Sequence, residues 1–575
     1  MMILRVTPPR QALIKHKPTF ITSRAATKQS SAAGAEFWRR ALPILIIGLV
    51  GVWFVATGLQ GIDFGYHWDE EKQFANLAVS LEEELLLPRW YKYPSISYWL
   101  TLGASLPHLL AALPNSDGDW HVLQAHLLLV AQTPAFHLQT RALFLLVSAL
   151  AIFWTGVQPM LAGRSAWEGA LAAAFLGLSW EFAYHARWVA PDTILLQFGA
   201  LFLLPATFAA RRPAQIGWGI AAAAAAGLAT GAKYPGGLLL IPAWLITVLV
   251  LLQQPNFSGA DNTRPVRFWL AAAFQATMLT VPAFLFAFLV TTPGAALDPV
   301  NFIKDIRYEI GHYSTGRFDQ TVTPGLPHLL LIWRYFMQVF FSFSTLVALF
   351  FSLLSLFGAV ITLRALERRN ALALAENILL ILFPALYLLY FSTQRVMAAR
   401  NLLLAAPFFA LLAARGAYWI YQRLDAKPLQ IGWIVLLLGA FVYNTVWLGY
   451  AARSIQARGT GAELGQLIDY AQATSRSTIE TSPGLWAALQ NNSLELPPNL
   501  LPPQYGATDL VAFFASEAFQ DPTRWPANQP GLALAYFGPW EVNFDYYPLW
   551  AGDDRILLMT RAQAVQREIE PFIGP

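Results

Sequence analysis

Cysteine is absent from the 575-residue chain. Disulfides, thiolate metal sites and a thiol nucleophile are therefore excluded. Charge is the second scarcity: Asp, Glu, Lys and Arg make up only 13% of residues, against roughly 25% in a soluble domain. Apolar side chains fill the gap, at 56% of residues and a mean hydropathy of +0.45. Runs of about 20 apolar residues recur, each long enough to cross the hydrocarbon of a bilayer. Together these features exclude a soluble globular protein and predict an α-helical polytopic membrane protein. The formal charge of +4 sits at helix ends and in the N-terminal segment, so the lipid bilayer, and no nucleic acid, is the expected partner. A nucleotide loop is also missing. Gly227 to Gly237, preceded by six alanines at 221–226, lacks the required strand-to-helix context. Small residues in that number predict close helix packing instead.

The runs place spans near 41–60, 141–162, 165–182, 192–210, 214–232, 235–253, 268–291, 329–363, 374–391, 402–421 and 430–450. Residues 1–40 carry eight Lys or Arg against one acid, Glu36, and read as a disordered basic cytoplasmic tail. Every second short loop then repeats the excess of positive charge: Arg164, Arg211-Arg212, Arg264 with Arg267, Arg364 with Arg368-Arg369, and Arg423 with Lys427. This bias puts those loops in the cytoplasm. The opposite side is acidic. Residues 61–140 hold nine acids against three bases, and 451–575 hold thirteen acids against seven Arg. Eleven spans follow, N-terminus inside and C-terminus outside, with the membrane domain at 41–450 and outer loops at 61–140 and 293–328.

Two further segments have readable character. In 69–86, Phe74, Leu77, Ala78, Leu81 and Leu85 share one helical face, which predicts an amphipathic helix. The apolar stretch 95–113 is interrupted by Gly103 and Pro107, which suits a helix in the outer interface better than a span. Beyond 450 the pattern changes. Strand-like pieces at 532–537 and 556–560, Pro-rich breaks and a helix at 462–473 predict a small extracytoplasmic α+β domain, 451–575.

Once oriented, the unusual ionisable residues gather on the outer side. Asp69-Glu70 follow the first span; His185, Arg187 and Asp192 precede the fourth; Lys233-Tyr234 close the fifth. Lys304, Asp305, Arg307, Glu309 and His312 lie in the outer loop, and Arg400 opens the tenth span. Charges near membrane depth are costly and mark function. Arg89 and Arg317 read as anchors for lipid phosphate, and His185 and His312 as hydrogen-bonded side chains rather than metal ligands. A carboxylate such as Asp69 accepts a proton from a substrate hydroxyl, for roughly 100- to 10,000-fold in rate. Lys and Arg beside it stabilise a phosphate leaving group. Trp68, Trp90, Tyr91 and Tyr93 suit sugar stacking or an interfacial belt.

These residues resemble the motifs of GT-C glycosyltransferases of the protein O-mannosyltransferase type (glycosyltransferase family 39), which includes the lipid A aminoarabinose transferases. Asp69-Glu70 match an early Asp-Glu pair, and Tyr91-Lys92-Tyr93-Pro94-Ser95-Ile96 a Tyr-x-Pro-Pro-Leu element with Ser95 for the second proline. Arg141, the stretch Arg187 to Asp192, Thr230-Gly231-Ala232-Lys233-Tyr234, Thr291 to Asp298, and Arg400 to Phe408 follow in the family's order. The likeness covers 40–420. It implies a plasma-membrane enzyme that takes a sugar from a polyprenyl-phosphate donor and passes it, with inversion, to an extracytoplasmic acceptor of unknown kind. Asp69 would be the base, with Glu70 and Asp192 as further catalytic carboxylates. Lys92, Lys233 and Arg400 would hold the donor phosphate. Tyr93, Arg187, Tyr234, Glu309 and His312 are other site candidates, and a divalent metal on Asp69, Glu70 or Asp192 stays open. The rival expectation is a transporter or flippase of lipid-linked sugars, though inverted repeats and broken mid-membrane helices are not evident.

Because the chain has no cysteine, single replacements at Ser475 and Ser165 report sidedness directly. In intact cells an impermeant thiol reagent should label the Ser475→Cys variant and leave Ser165→Cys unlabelled. The opposite pattern would discard the eleven-span arrangement.

Overall fold

Backbone amides in hydrocarbon must find partners within their own segment, which makes helices of apolar runs. The computed structural model of the chain is accordingly helical through most of its membrane part. It describes residues 24–63, 70–83, 86–254, 266–316, 321–368, 371–459, 462–491, 495–504, 506, 508–514, 535–537 and 556–566. Among the described residues ten helices are long and apolar enough to cross a membrane, by length and composition. They are Ala41–Gln60, Ile96–Asn115, Pro134–Leu161, Pro191–Arg211, Tyr234–Leu252, Val266–Thr291, Thr345–Glu367, Leu372–Ser392, Ala399–Arg423 and Lys427–Arg453.

Three expected elements differ in detail. The 165–182 run is two helices, Ala166–Gly177 and Trp180–His185, parted at Leu178-Ser179. The 329–363 run divides as well: Leu326–Tyr335 and a π-turn, Phe336–Phe340, come before the non-helical 341–344, and Thr345–Arg364 follows. At 35 residues that run was too long for one span of about 20. Segment 96–115 is of spanning length, but it consists of Ile96–Ala104, Leu106–Ala112 and Leu113–Asn115, broken at Ser105 just before Pro107. The expected amphipathic helix runs from Glu71 to Glu82 and buries Leu77 and Leu81.

Within lipid no hydrophobic force drives helix against helix, so close approach of small residues does the work. Gly217–Ala232, the alanine-rich helix, is wedged between Pro191–Arg211 and Val266–Thr291. A methyl group at Gly227 would collide with the Phe284 backbone. The same device joins Thr345–Arg364 to Ala406–Arg423. A Cβ on Gly358 would strike the Leu412 carbonyl, and one on Gly416 the Leu354 carbonyl. Pro191–Arg211 and Ala399–Arg423 are the central spans, with 78% of their apolar windows buried, against 17% for Val266–Thr291. Packed among them, Trp180, Phe182, Tyr184 and Trp188 form the aromatic heart of the core.

Away from the site, Arg415 is buried in an ionic knot. It pairs with Glu376 at 3.2 Å and Glu168 at 3.6 Å, and Arg164 holds Glu168 at 2.6 Å. The C-terminal part forms a mixed five-stranded sheet of β1 (Ile479–Thr481), β2 (Leu500–Leu501), β3 (Leu510–Phe514), β4 (Ala535–Phe537) and β5 (Ile556–Thr560). The strand order is β2-β1-β3-β5-β4, with β1 parallel to both neighbours and β5 antiparallel to both of its own. Helix Ala462–Ala473 contributes Leu467 and Ala471 to the core beneath the sheet.

The helix crossing at Gly358 sets a stability test. Gly358→Ala should cost about 1–3 kcal/mol, the range for overpacking a tight interior. It should lower the melting temperature of the detergent-solubilised protein, whereas Gly439→Ala, where a Cβ meets nothing within 4 Å, should not.

Candidate active site

Lys233 is the organising residue. The alanine-rich helix ends at Ala232, Lys233 adopts an extended conformation (φ −154°, ψ 137°), and a 3-10 helix, Tyr234–Leu239, begins next. The break sends a buried ammonium sideways, where it donates to Asp192 Oδ1 at 2.5 Å and to Asn401 Oδ1 at 2.6 Å. Asp192 stands in the first turn of Pro191–Arg211, behind Pro191, and Asn401 in the 3-10 segment Ala399–Ala405. The Asn401 side-chain amide donates onward to the Tyr313 hydroxyl at 3.1 Å, and the Asn401 backbone carbonyl accepts from the Tyr387 hydroxyl at 2.6 Å. Arg400 and His185 also act electrostatically on Asp192. Asp192 Oδ2 is buried without a hydrogen-bond partner among the described residues. An ion pair this deep survives only with its remaining valences met, so that second oxygen is a position where a polar group would be stabilised.

A second layer closes over this cluster. Tyr93 lies with its ring 5.6 Å from the Lys233 ammonium, and Lys92 sits 3.4 Å above the Tyr308 ring. The 89–93 loop is tied to helix Pro299–Thr315: the Tyr91 amide donates to Asp305 Oδ2 at 2.6 Å, and Arg89 donates to Asp298 at 3.2 Å. Tyr234 adds a hydrogen bond to the Tyr91 carbonyl at 2.5 Å. Burial raises the Tyr91 phenol well above its ordinary pKa, and the neighbouring Asp298 adds to it. Burial alone would raise Asp298, but hydrogen bonds from Asn301 and Arg89 hold it below the usual carboxylate range. Arg89 is thus engaged by Glu83 and Asp298, not held out as the lipid anchor its sequence context suggested.

The candidates from the sequence separate into groups. Asp192, Lys233, Arg400, Tyr93 and Tyr234 converge; Glu309 acts electrostatically on Tyr234, and His312 packs 5.3 Å from the Tyr313 ring. Lys92 stands at the edge. Asp69 and Arg317 lie outside the described residues. Glu70 does not join the cluster. Both of its oxygens are taken by Arg141, at 2.5 to 3.1 Å, and Oε1 also accepts from the Val189 amide at 2.8 Å. Arg141 in turn donates to the Ile62 carbonyl at 3.0 Å. Arg187 turns toward the first span, donating to the Thr57 carbonyl at 2.8 Å.

Sequence reasoning passed over Asn401, Tyr313 and Tyr387, neutral side chains with no motif of their own. Asn401 had one available signal, its place immediately after Arg400. Buried Glu181, 3.2 Å from His185, was missed as well. The described residues do not fit a metal: none of their His, Asp and Glu side chains cluster in threes with ligand geometry. Glu70 is spent on Arg141 and one Asp192 oxygen on Lys233.

Comparison with known proteins agrees with the sequence resemblance. The family model for dolichyl-phosphate-mannose-protein mannosyltransferases matches residues 101–295, a stretch that holds Arg141, Arg187, Asp192, Lys233 and Tyr234. No curated protein sequence matches the chain. Among solved structures, ArnT from Cupriavidus metallidurans bound to undecaprenyl phosphate is similar at TM-score 0.44 and 16% identity, covering 92% of this chain and 99% of that one. The apo oligosaccharyltransferase of Archaeoglobus fulgidus gives TM-score 0.46 at 10% identity, covering 79% of this chain and 64% of its own. At TM-scores below 0.5 the arrangements coincide only in part.

Removing the cation beside Glu70 should leave an uncompensated buried carboxylate. Arg141→Met is expected to lose about 3–5 kcal/mol, read as loss of monodisperse protein after detergent extraction. The double variant Glu70→Gln with Arg141→Met should recover much of it. Normal stability in the single variant would show that the pair does not clamp the fold.

Proposed function

We propose that this chain is a membrane glycosyltransferase that moves a sugar from a polyprenyl-phosphate donor to an acceptor presented outside the cytoplasm. The observation that carries the reading is the convergence of Lys233 and Arg400 on buried Asp192, with Lys92 and Tyr93 at the rim. Those cations are the groups that a lipid phosphate would meet there. The match to a family of dolichyl-phosphate-mannose-dependent enzymes supports the same donor class, and the run of inward-facing arginines supports an N-terminus in the cytoplasm with the site and C-terminal part outside, in the plasma membrane.

The reaction then balances simply. An acceptor hydroxyl attacks the anomeric carbon and gives up its proton, the carbon–oxygen bond to phosphate breaks on the opposite face, and polyprenyl phosphate leaves with the electron pair. Asp69 takes the proton. Its neighbour Glu70 works as a clamp instead, because its oxygens are held by Arg141 and Val189, and this anchors the residue next to the base. Phosphate charge grows as the bond breaks, so contacts from Arg400, Lys233 and Lys92 strengthen toward the transition state and count toward rate as well as binding. Tyr93 and Trp90, packed edge to face at 5.4 Å, offer the sugar an aromatic wall.

Purified protein given a panel of polyprenyl-phosphate sugars should release polyprenyl phosphate. Asp69→Asn should cut turnover by on the order of 100-fold or more with donor binding intact. Arg400→Gln should weaken donor binding and slow the single-turnover rate together. A transporter would move lipid-linked sugar without releasing the carrier, and Asp69→Asn with near-parent turnover would remove the base assignment.

A further inference from the structure

Helix Pro299–Thr315 is amphipathic in an unusual sense: its polar face points into the protein. Asp298, Asp305, Glu309, His312 and Tyr313 line the covered side, where Asp305 and Asp298 hold the 89–93 loop. The opposite side is solvent-exposed yet apolar and basic. Val300 is 79% exposed, Ile303 47% and Ile310 66%, with exposed Lys304 and Arg307 set between them. At 100° per residue these five positions fall within a single face about 120° wide.

Exposed apolar residues flank this face in the sequence. On its N-terminal side, exposed Phe286, Leu289 and Val290 of the Val266–Thr291 span lead into exposed Leu297; on its C-terminal side come exposed Leu326, Leu330 and Trp333. In chain order, exposed apolar residues thus stand before this helix, along it and after it. A basic pair embedded in it has the charge complement of anionic headgroups.

We propose that helix Pro299–Thr315 seats on the membrane surface, with Val300, Ile303 and Ile310 at the acyl boundary and Lys304 and Arg307 on the phosphates of anionic phospholipids. The seat carries information inward. The same helix fixes the Tyr91 amide through Asp305 and Arg89 through Asp298, so headgroup binding on one face sets the order of the Lys92 loop on the other. This inference is independent of the proposed reaction, since it concerns lipid contact alone.

The test uses the full-length chain in nanodiscs of phosphatidylcholine, with or without 30% phosphatidylglycerol. A Val300→Cys variant carries an environment-sensitive fluorophore, and a Ser475→Cys variant is the control. With phosphatidylglycerol present, the label at 300 should shift to an apolar emission and be quenched at least twofold by doxyl lipid, the control remaining unaffected. Adding Lys304→Gln and Arg307→Gln should raise the phosphatidylglycerol fraction needed for half the effect by about fivefold per residue. Amide exchange at Tyr91 should slow with phosphatidylglycerol in the parent and not in the neutralised variant. A water-like, unquenched label at 300 would overturn the seat. Equal quenching in both nanodiscs would overturn the role of anionic lipid, and unchanged exchange at Tyr91 would overturn the coupling.

Discussion

One buried ion pair, Glu70 with Arg141, fixes the frame on which the site is built. Four segments meet there: the end of the first span through the Ile62 carbonyl, the start of helix Glu71–Glu82 through Glu70, the Pro134–Leu161 helix through Arg141, and the approach to Asp192 through the Val189 amide. In an interior with so few alternative hydrogen-bond partners, neither charge has elsewhere to go. Asp192, three residues beyond Val189, takes its place from that junction. The chemistry proposed for the chain therefore depends on a contact that takes no part in it.

The site follows the same rule at a second level. Lys233, Asp192 and Asn401 come from three separate helix ends, and each is aimed by a local break: the extended residue after Ala232, the proline before Asp192, and the 3-10 turn at Ala399–Ala405. Regular helices would have pointed these side chains along the bundle wall. Interrupting them turns backbone ends and side chains toward one another.

Much of this was legible because charge is so scarce. Asp192, Lys233 and Arg400 stand out in apolar surroundings, and their cost in a membrane marked them before any contact was known. Helix 462–473 and strands near 535 and 556 were equally plain from periodicity. Partnership was not legible. Glu70 beside Asp69 reads as a catalytic pair, and only the fold shows that Arg141, 71 positions away, claims it. Tyr313 was invisible, and Asn401 nearly so, because neutral residues carry no penalty to betray them. The division of 329–363 was hidden for a different reason: Phe341-Ser342-Phe343-Ser344 contains neither proline nor glycine, so nothing but excess length announces the break.

The alanine-rich helix has a further consequence. Its sixteen residues, Gly217–Ala232, rise only about 24 Å, whereas the hydrocarbon core of a bilayer is about 30 Å thick. As a span, a helix of that length reaches only one headgroup plane, and Lys233 stands at its end. On the proposed reading, either the bilayer thins near this helix or the carrier sinks, each at a fraction of a kcal/mol per ångström. On the proposed reading, bilayer thickness becomes a variable of the reaction: a thinner membrane brings the donor's phosphate level with Lys233, and a thicker one holds it out of reach.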